Sequence, residues 1–329
     1  MTGPSTGPST GLAAYGDQPI VLEEVATGLL FPEGPTALPD GSVLVVELCG
    51  GRLTKIRPDG STEVVAETGG GPNGAALGPD GAVYVCNQGG TAWAWQDGYV
   101  VAYGMAPDNH GGSIQRVEVD TGKVTTLYTE CDGHRLNGPN DIVFDAAGGF
   151  YFTDFGQVRD RIRDRGALYY ALPDGSAIRE VAFPLFDPNG VGLSPDGGRL
   201  YVSESVTARV LYFDVEGPGQ LATTDAPPYH YAPGTHLLAQ ISGSGPQCLD
   251  SLAVDRFGNV CVGTLEREGV TVVSPSGDQQ FLPMPGDALT TNLCFVGPDR
   301  TTAYLTRSAT GRVVRASWPV PGLALNFGA

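Results

Sequence analysis

The sequence predicts an all-β fold, a six-bladed β-propeller with a metal site in its central channel, and three observations carry that prediction. One short motif recurs six times in a single register. The copies are rich in short β-branched and aromatic runs punctuated by Gly and Pro, with almost no helical periodicity. A residue bearing a side-chain oxygen stands at the same point of every copy.

The register follows from the turns. Seven residues before Asp40 in "ALPDGSVLVVE" is Glu33, and the same step back from Asp80, Ala147, Asp196, Phe257 and Asp299 reaches Asn73, Asn140, Asn189, Asp250 and Asn292. These heads lie 40 to 67 residues apart, the size of a propeller blade with insertions. After each Gly turn a second strand is expected, at 43–46, 83–86, 150–153, 200–203, 260–263 and 303–305. Further strand pairs read from "GRLTKIRPDG", "RVLYFDVEG" and "GVTVVSPSG". The early segment "IVLEEVATGLL" is expected to add an outer strand to the last blade and close the ring. No WD or kelch signature appears, which weighs against an interaction scaffold.

Composition narrows the partners. The 329 residues include 48 Gly and 26 Pro without a three-residue period, so they are turn punctuation and not collagen. A formal charge of −17 repels phosphate backbones and anionic lipid, so no nucleic-acid partner is expected. No apolar run reaches membrane-spanning length, and "MTGPSTGPST" lacks the charged and apolar regions of a secretion signal. Residues 1–18 therefore read as a disordered tail, residues 19–329 as one propeller domain, and the location as cytoplasmic. Six cysteines, none in a C-x-x-C pair, read as free, largely buried thiols. The oligomeric state is not legible.

In a propeller the innermost strand of each blade lines the channel, so the six heads form a ring at one channel end. Carboxylates and amide carbonyls are the donors a hard cation such as Ca²⁺ takes, and the absence of imidazole or thiolate makes zinc less natural. Asn and Asp also precede strands for reasons of turn chemistry alone, but six in register favour a metal site. Asn73 and Asn292 read as structural or substrate-facing. A second ring, at the far ends of the second strands, comprises Glu47, Asn87, Asp154, Glu204, Thr264 and Thr306. These are expected to contact substrate or to orient the first ring.

The runs "FPEGP", "RLNGPNDIVFDAAGGFYFTD", "DPNGVGLSPDGGRLYVSES" and "CLDSLAVDRFGNVCVGT" resemble the gluconolactonase/regucalcin (senescence marker protein) family of calcium-dependent lactonases. The resemblance extends over residues 20–318. It implies a six-bladed propeller with one divalent cation, Ca²⁺ first and Zn²⁺, Mg²⁺ or Mn²⁺ as alternatives, ligated by Glu33, Asn140, Asn189 and Asp250. Paraoxonases and diisopropyl fluorophosphatase are similar more distantly. Two departures stand out. The regucalcin branch has an arginine where this chain has Gly138, with Arg135 nearby, and the paraoxonase branch has a histidine where this chain has Asn73. His134 is a further candidate for the mouth.

The expected reaction is hydrolysis of a small-molecule lactone, the cation polarising the ring carbonyl while water attacks. Asp250 is the candidate catalytic residue, as base, nucleophile or ligand only. Asn73, Asn87, Arg135, Asp154, Asn292 and Trp93 are the candidate substrate contacts. The insertion carrying Trp93, Trp95, Tyr99 and Tyr103, and the one carrying Tyr229, His230 and Tyr231, are expected to wall a pocket or to pack over a blade edge. The alternatives are an ester or phosphotriester hydrolase on the same scaffold, or a non-catalytic propeller with a structural metal.

Overall fold

The structure is a computed structural model that describes residues 11–16, 18–224, 231–243, 245 and 247–328. Among these residues strands are the only long elements, and they form six main antiparallel sheets, one per blade. Blade one runs outward through Pro32–Ala37, Val43–Glu47, Arg52–Ile56 and Thr62–Glu67, each strand bonded to the next. The inner strands of the other blades are Pro72–Leu77, Pro139–Phe144, Pro188–Leu193, Cys248–Val254 and Thr290–Val296. Ring closure is as expected: Glu23–Ala26 pairs with Arg312–Ser317 as the outermost strand of blade six.

The second strands sit between neighbouring sheets and are buried on both faces, so they read as unbroken apolar runs, not as an alternation. Val43, Leu44, Val45 and Val46 are all fully buried, Leu44 and Val46 against Val83 and Val85 of the next blade. The turns between first and second strands use the Asp-Gly chemistry of the repeat. Asp40 Oδ1 accepts the Ser42 N–H at 3.0 Å, and Gly41 holds the left-handed φ of 81° that such a turn requires. In blade six, where no glycine is available, Arg300 takes that conformation at φ 53°.

Every inner strand carries a register irregularity at or beside its head residue: just after it in blade one, between Glu33 and Thr36, across it in blades two to five, and just before it in blade six, between Thr290 and Asn292. A bulge re-aims the local side chains, and here it acts on all six heads alike. The heads lie inside the strands, at the second or third position, not ahead of them. Neighbouring inner strands approach so closely at this level that some positions exclude a side chain. A Cβ on Gly190 would lie 2.5 Å from the Leu252 backbone nitrogen, and one on Gly74 would lie 2.3 Å from the Asn140 carbonyl oxygen.

The channel is polar above and apolar below. Beneath the head ring lies a cavity of about 570 Å³ lined by inner-strand residues such as Ala75, Leu77, Val191, Leu252 and Phe295 and bounded below by residues 323–328. There Phe327 packs edge-on against Phe144 at 5.8 Å and Asn326 Nδ2 donates to the Phe144 carbonyl at 2.8 Å. Within the stretch expected to be a tail, Leu12–Tyr15 form a 3₁₀ turn that buries Tyr15 edge-on against Trp318 at 6.2 Å. Residues 1–10 lie outside the described residues. All six cysteines are free thiols.

The close approach at the heads can be tested. Gly190→Ala should destabilise the fold by about 1–3 kcal/mol, the usual cost of overpacking a fixed backbone, as measured by urea unfolding; an unchanged midpoint would mean that the strands separate easily.

Candidate metal and active site at the channel mouth

The sequence-predicted ring assembles at one end of the channel. Glu33, Asn73, Asn140, Asn189 and Asn292 are buried there, while Asp250 is ringed by protein yet keeps part of its surface open to the channel. Hydroxyls from second strands fix the backbone of the next blade's head. Thr153 Oγ1 donates to the Asn189 carbonyl at 2.5 Å, Ser203 Oγ to the Asp250 carbonyl at 2.6 Å, and Ser308 Oγ to the Pro32 carbonyl at 2.7 Å. With the carbonyls held by neighbours, the head side chains are left to the channel.

Glu33 Oε2 accepts its own next N–H, from Gly34, at 3.1 Å. Burial, and then the charge of Asp250, push the Glu33 carboxyl well above the usual carboxylate range. The Asp250 carboxyl is pushed up to about 7 by burial, against hydrogen bonds from the Asn189 amide and the Ser251 N–H. The Asn189 amide donates to Ser205 Oγ at 3.1 Å, and its oxygen lies 3.4 Å from Ser251 Oγ. Asn140 Oδ1 is buried with no hydrogen-bond partner. An orphaned amide oxygen in the same ring as two buried carboxyls, each with raised proton affinity, is a donor set that fits a hard cation. Among the described residues no three His, Cys, Asp or Glu side chains converge; the set depends on two carboxylates completed by amide oxygens.

Asn73 makes no side-chain hydrogen bond among the described residues and stays available at the mouth, whereas Asn292 Oδ1 accepts the Leu293 N–H at 2.7 Å. Sequence reasoning missed Asp141. It follows a head residue where three other blades carry glycine, which was the available signal. Its carboxylate accepts N–H groups of Ile142 at 2.9 Å and Val191 at 3.1 Å, with further bonds from Ser251 and Leu252. It thereby ties blades three, four and five together at the floor of the ring, and burial raises it to about 7.

The second ring holds the loops beside the first, the orienting role among the two expected of it. Asn87 Oδ1 accepts the N–H groups of Gly71 and Gly89, both at 2.9 Å, and its amide donates to the Gly69 carbonyl. Asp154 accepts N–H groups from Asn137, Gly138 and Gly156 at 2.7–2.9 Å. Both were candidate substrate contacts, and both hold the loops that lead into the inner strands. Glu47 does the same for Leu30 and also pairs with Arg52 at 2.8 Å. Glu204 accepts the Phe186 N–H at 2.8 Å without such a guanidinium, so burial raises its carboxyl.

The aromatic insertion reaches the head loop of blade one. The hairpin Thr91–Gln96 and Tyr99–Met105 leaves blade two and crosses blade one, where half-buried Trp93 packs on Phe31 at 4.9 Å, two residues from Glu33. Its Val100 N–H reaches the Ala309 carbonyl of blade six at 3.1 Å. Trp95 and Tyr103 remain exposed. Arg135 Nη1 donates to the His110 carbonyl at 2.8 Å and, with Arg159, Asn137 and Gln157, lines a separate cavity of about 260 Å³. His134 faces Glu180 of the outer blade-three strand and not the channel. Tyr231 packs on Phe186 at 5.4 Å, while Tyr229 and His230 lie outside the described residues.

Residues 31–309 match the family model of the SMP-30/Gluconolactonase/LRE-like region. The chain belongs to this family. A gluconolactonase of Zymomonas mobilis is 27% identical over 332 residues, spanning 93% of this chain and 84% of that protein. The lactonase drp35 of Staphylococcus haemolyticus is 27% identical over 246 residues, spanning 72% of this chain and 64% of that protein. Among solved structures, a Xanthomonas campestris gluconolactonase superposes with a TM-score of 0.70 at 24% identity, covering 94% of this chain and 92% of that one. A regucalcin of Agrobacterium tumefaciens, described as calcium-binding, superposes with a TM-score of 0.73 at 16% identity over 94% and 98% of the two chains. The family's propeller thus underlies the architecture, and among the described residues no helix is long and apolar enough to cross a membrane.

Glu47 supplies a test of the second ring. Burial opposes its charge, but bonds from Arg52, Thr54 and the Leu30 N–H outweigh this and hold the carboxyl below its ordinary 4.5. A depressed carboxyl contributes stability above its unfolded value and loses it as pH falls through the folded one. Glu47→Gln should therefore cost about 1–3 kcal/mol at pH 7. Urea titrations should find the gap to wild type closing as pH drops below 4.5.

Proposed function

We propose that this protein is a lactonase that opens a small-molecule lactone with the help of one divalent cation, Ca²⁺ by its donor chemistry. The observation that carries the reading is the convergence of Glu33, Asp250 and the unpartnered Asn140 oxygen at the head of bulged inner strands. The lactonase names of the relatives support it. Glu33, Asn140, Asn189 and Asp250 would hold the cation. Bound there, a cation supplies positive charge to the ring carbonyl oxygen as negative charge develops on it.

The chain's own groups do the remaining work. Asp250 accepts the proton of the attacking water as the water oxygen bonds to the carbonyl carbon. The ring C–O bond then breaks, the proton passes to the departing ring oxygen, and the product is a hydroxy acid. The Asn189 amide, donating to Asp250, orients that carboxylate. Asn73 presents an amide to substrate hydroxyls, and Trp93 on Phe31 supplies an apolar wall for the ring face. Six free thiols suit a reducing compartment, and we assign the protein to the cytoplasm.

A panel of lactones, assayed on metal-analysed protein with and without chelator, tests the reading. Turnover should vanish on chelation and return with Ca²⁺; chelator-resistant turnover would overturn the metal dependence, and no turnover of any lactone would overturn the activity. Asp250→Asn, replete with metal, should lose about 10²-fold or more in kcat, the scale of general-base catalysis. A kcat near wild type would place the base elsewhere. Trp93→Ala should change kcat/KM among lactones of different size at constant metal content; a uniform fall across the panel would make the hairpin structural.

A further inference from the structure

The densest basic stretch of this acidic chain, "VRDRIRDRG" at 158–166, was not absorbed by the ring. It forms the small hairpin Val158–Arg159 and Ile162–Arg163 between the second and third strands of blade three. Gln157 fastens it on one side, its amide donating to the carbonyls of Asn137 at 2.8 Å and Gln88 at 3.2 Å. On the other side Arg165 lies 3.9 Å above the Phe186 ring, and Arg163 is ion-paired with Asp187. Phe186 and Asp187 belong to the head loop of blade four, with Asn189 two residues further on.

The Arg163–Asp187 pair is lopsided. The Asp187 side chain is 5% exposed and the Arg163 side chain 44% exposed. A half-exposed guanidinium therefore stands on the head loop of blade four, one arm on a buried carboxylate two residues before Asn189 and further N–H groups open. The hairpin does not depend on this pair for its attachment, because Gln157 and Arg165 already fasten it. As a recognition group it is well suited, since a guanidinium fork matches a carboxylate in two parallel hydrogen bonds.

Resting on the lactonase reading, we propose that Arg163 is a specificity-determining residue that holds a carboxylate carried by the substrate, so that lactones of sugar diacids are preferred over neutral lactones. Arg163 offsets the charge of Asp187 beside the ring, and a bound divalent cation would offset Glu33 and Asp250, which lessens the repulsion that an anionic substrate meets.

The test compares glucono-1,5-lactone, which is neutral, with glucaro-1,4-lactone, which keeps a free carboxylate, on the Ca²⁺-loaded protein and its Arg163→Gln, Arg163→Lys and Arg135→Gln variants. Wild type should favour the carboxylated lactone. Arg163→Gln should raise KM for that lactone about 10- to 100-fold, the scale of a hydrogen bond to a charged group. Its kcat and its kinetics on the neutral lactone should stay put, and Arg163→Lys should recover part of the loss. Equal losses on both lactones, no change, or a selective loss in Arg135→Gln instead would overturn the assignment. If wild type opens neither of these nor any lactone of the wider panel, the activity reading fails, and calorimetric titration with glucarate and gluconate decides Arg163 separately. Tighter binding of glucarate that disappears in Arg163→Gln supports the proposal, and equal binding of the two anions by wild type overturns it. Thermal midpoint and metal content identify any variant that misfolds.

Discussion

The bulge at the head of each inner strand is the constraint on which the rest of the site depends. A regular strand would send successive side chains alternately into the two neighbouring blades. The bulge breaks that alternation at one level in all six blades, and hydroxyls such as those of Thr153 and Ser203 then hold the head carbonyls from the preceding blade. The side chains have no direction left but the channel. Glu33 and Asp250 are thereby brought together against their mutual repulsion, and the fold, not any attraction between these groups, keeps them there.

That arrangement also explains the division of the channel. Above the bulges the walls are carboxylates and amides; below them the inner strands resume their apolar character and enclose the larger cavity. Asp141 marks the boundary. Its carboxylate reaches N–H groups on two other blades and so converts a position that is glycine in blades one, two and four into a brace across the floor. Size alone would have directed attention to the lower cavity, but the carboxyls with raised proton affinity stand at the head ring and at its floor.

Around the mouth, loops are held by buried side chains at the ends of the second strands. The same structural position is solved in different ways: an acid paired with Arg52 at Glu47, an acid with only N–H and hydroxyl partners at Glu204, and an amide at Asn87. On this fixed rim stand the two insertions, one aromatic and reaching to blade six, the other arginine-rich and reaching to blade four. Chemistry thus sits on the rigid scaffold and selectivity on the elements added to it.

The sequence by itself determined the blade count, the Asp-Gly turns, the closing strand before Glu33 and the identity of the ring, because turn chemistry and a repeated register are local properties that survive in linear order. One constant spacing marked all six heads, and the family resemblance singled out Glu33, Asn140, Asn189 and Asp250 among them. Only the tertiary structure decided what the second ring does, since a polar strand end reads the same whether it meets substrate or a neighbouring loop's N–H groups. It likewise decided that Asp141 braces three blades, that Trp93 lies on Phe31 and that Arg163 meets Asp187. These are contacts between residues far apart in the chain, created by closing the ring, and no local pattern encodes which distant partner a side chain will find.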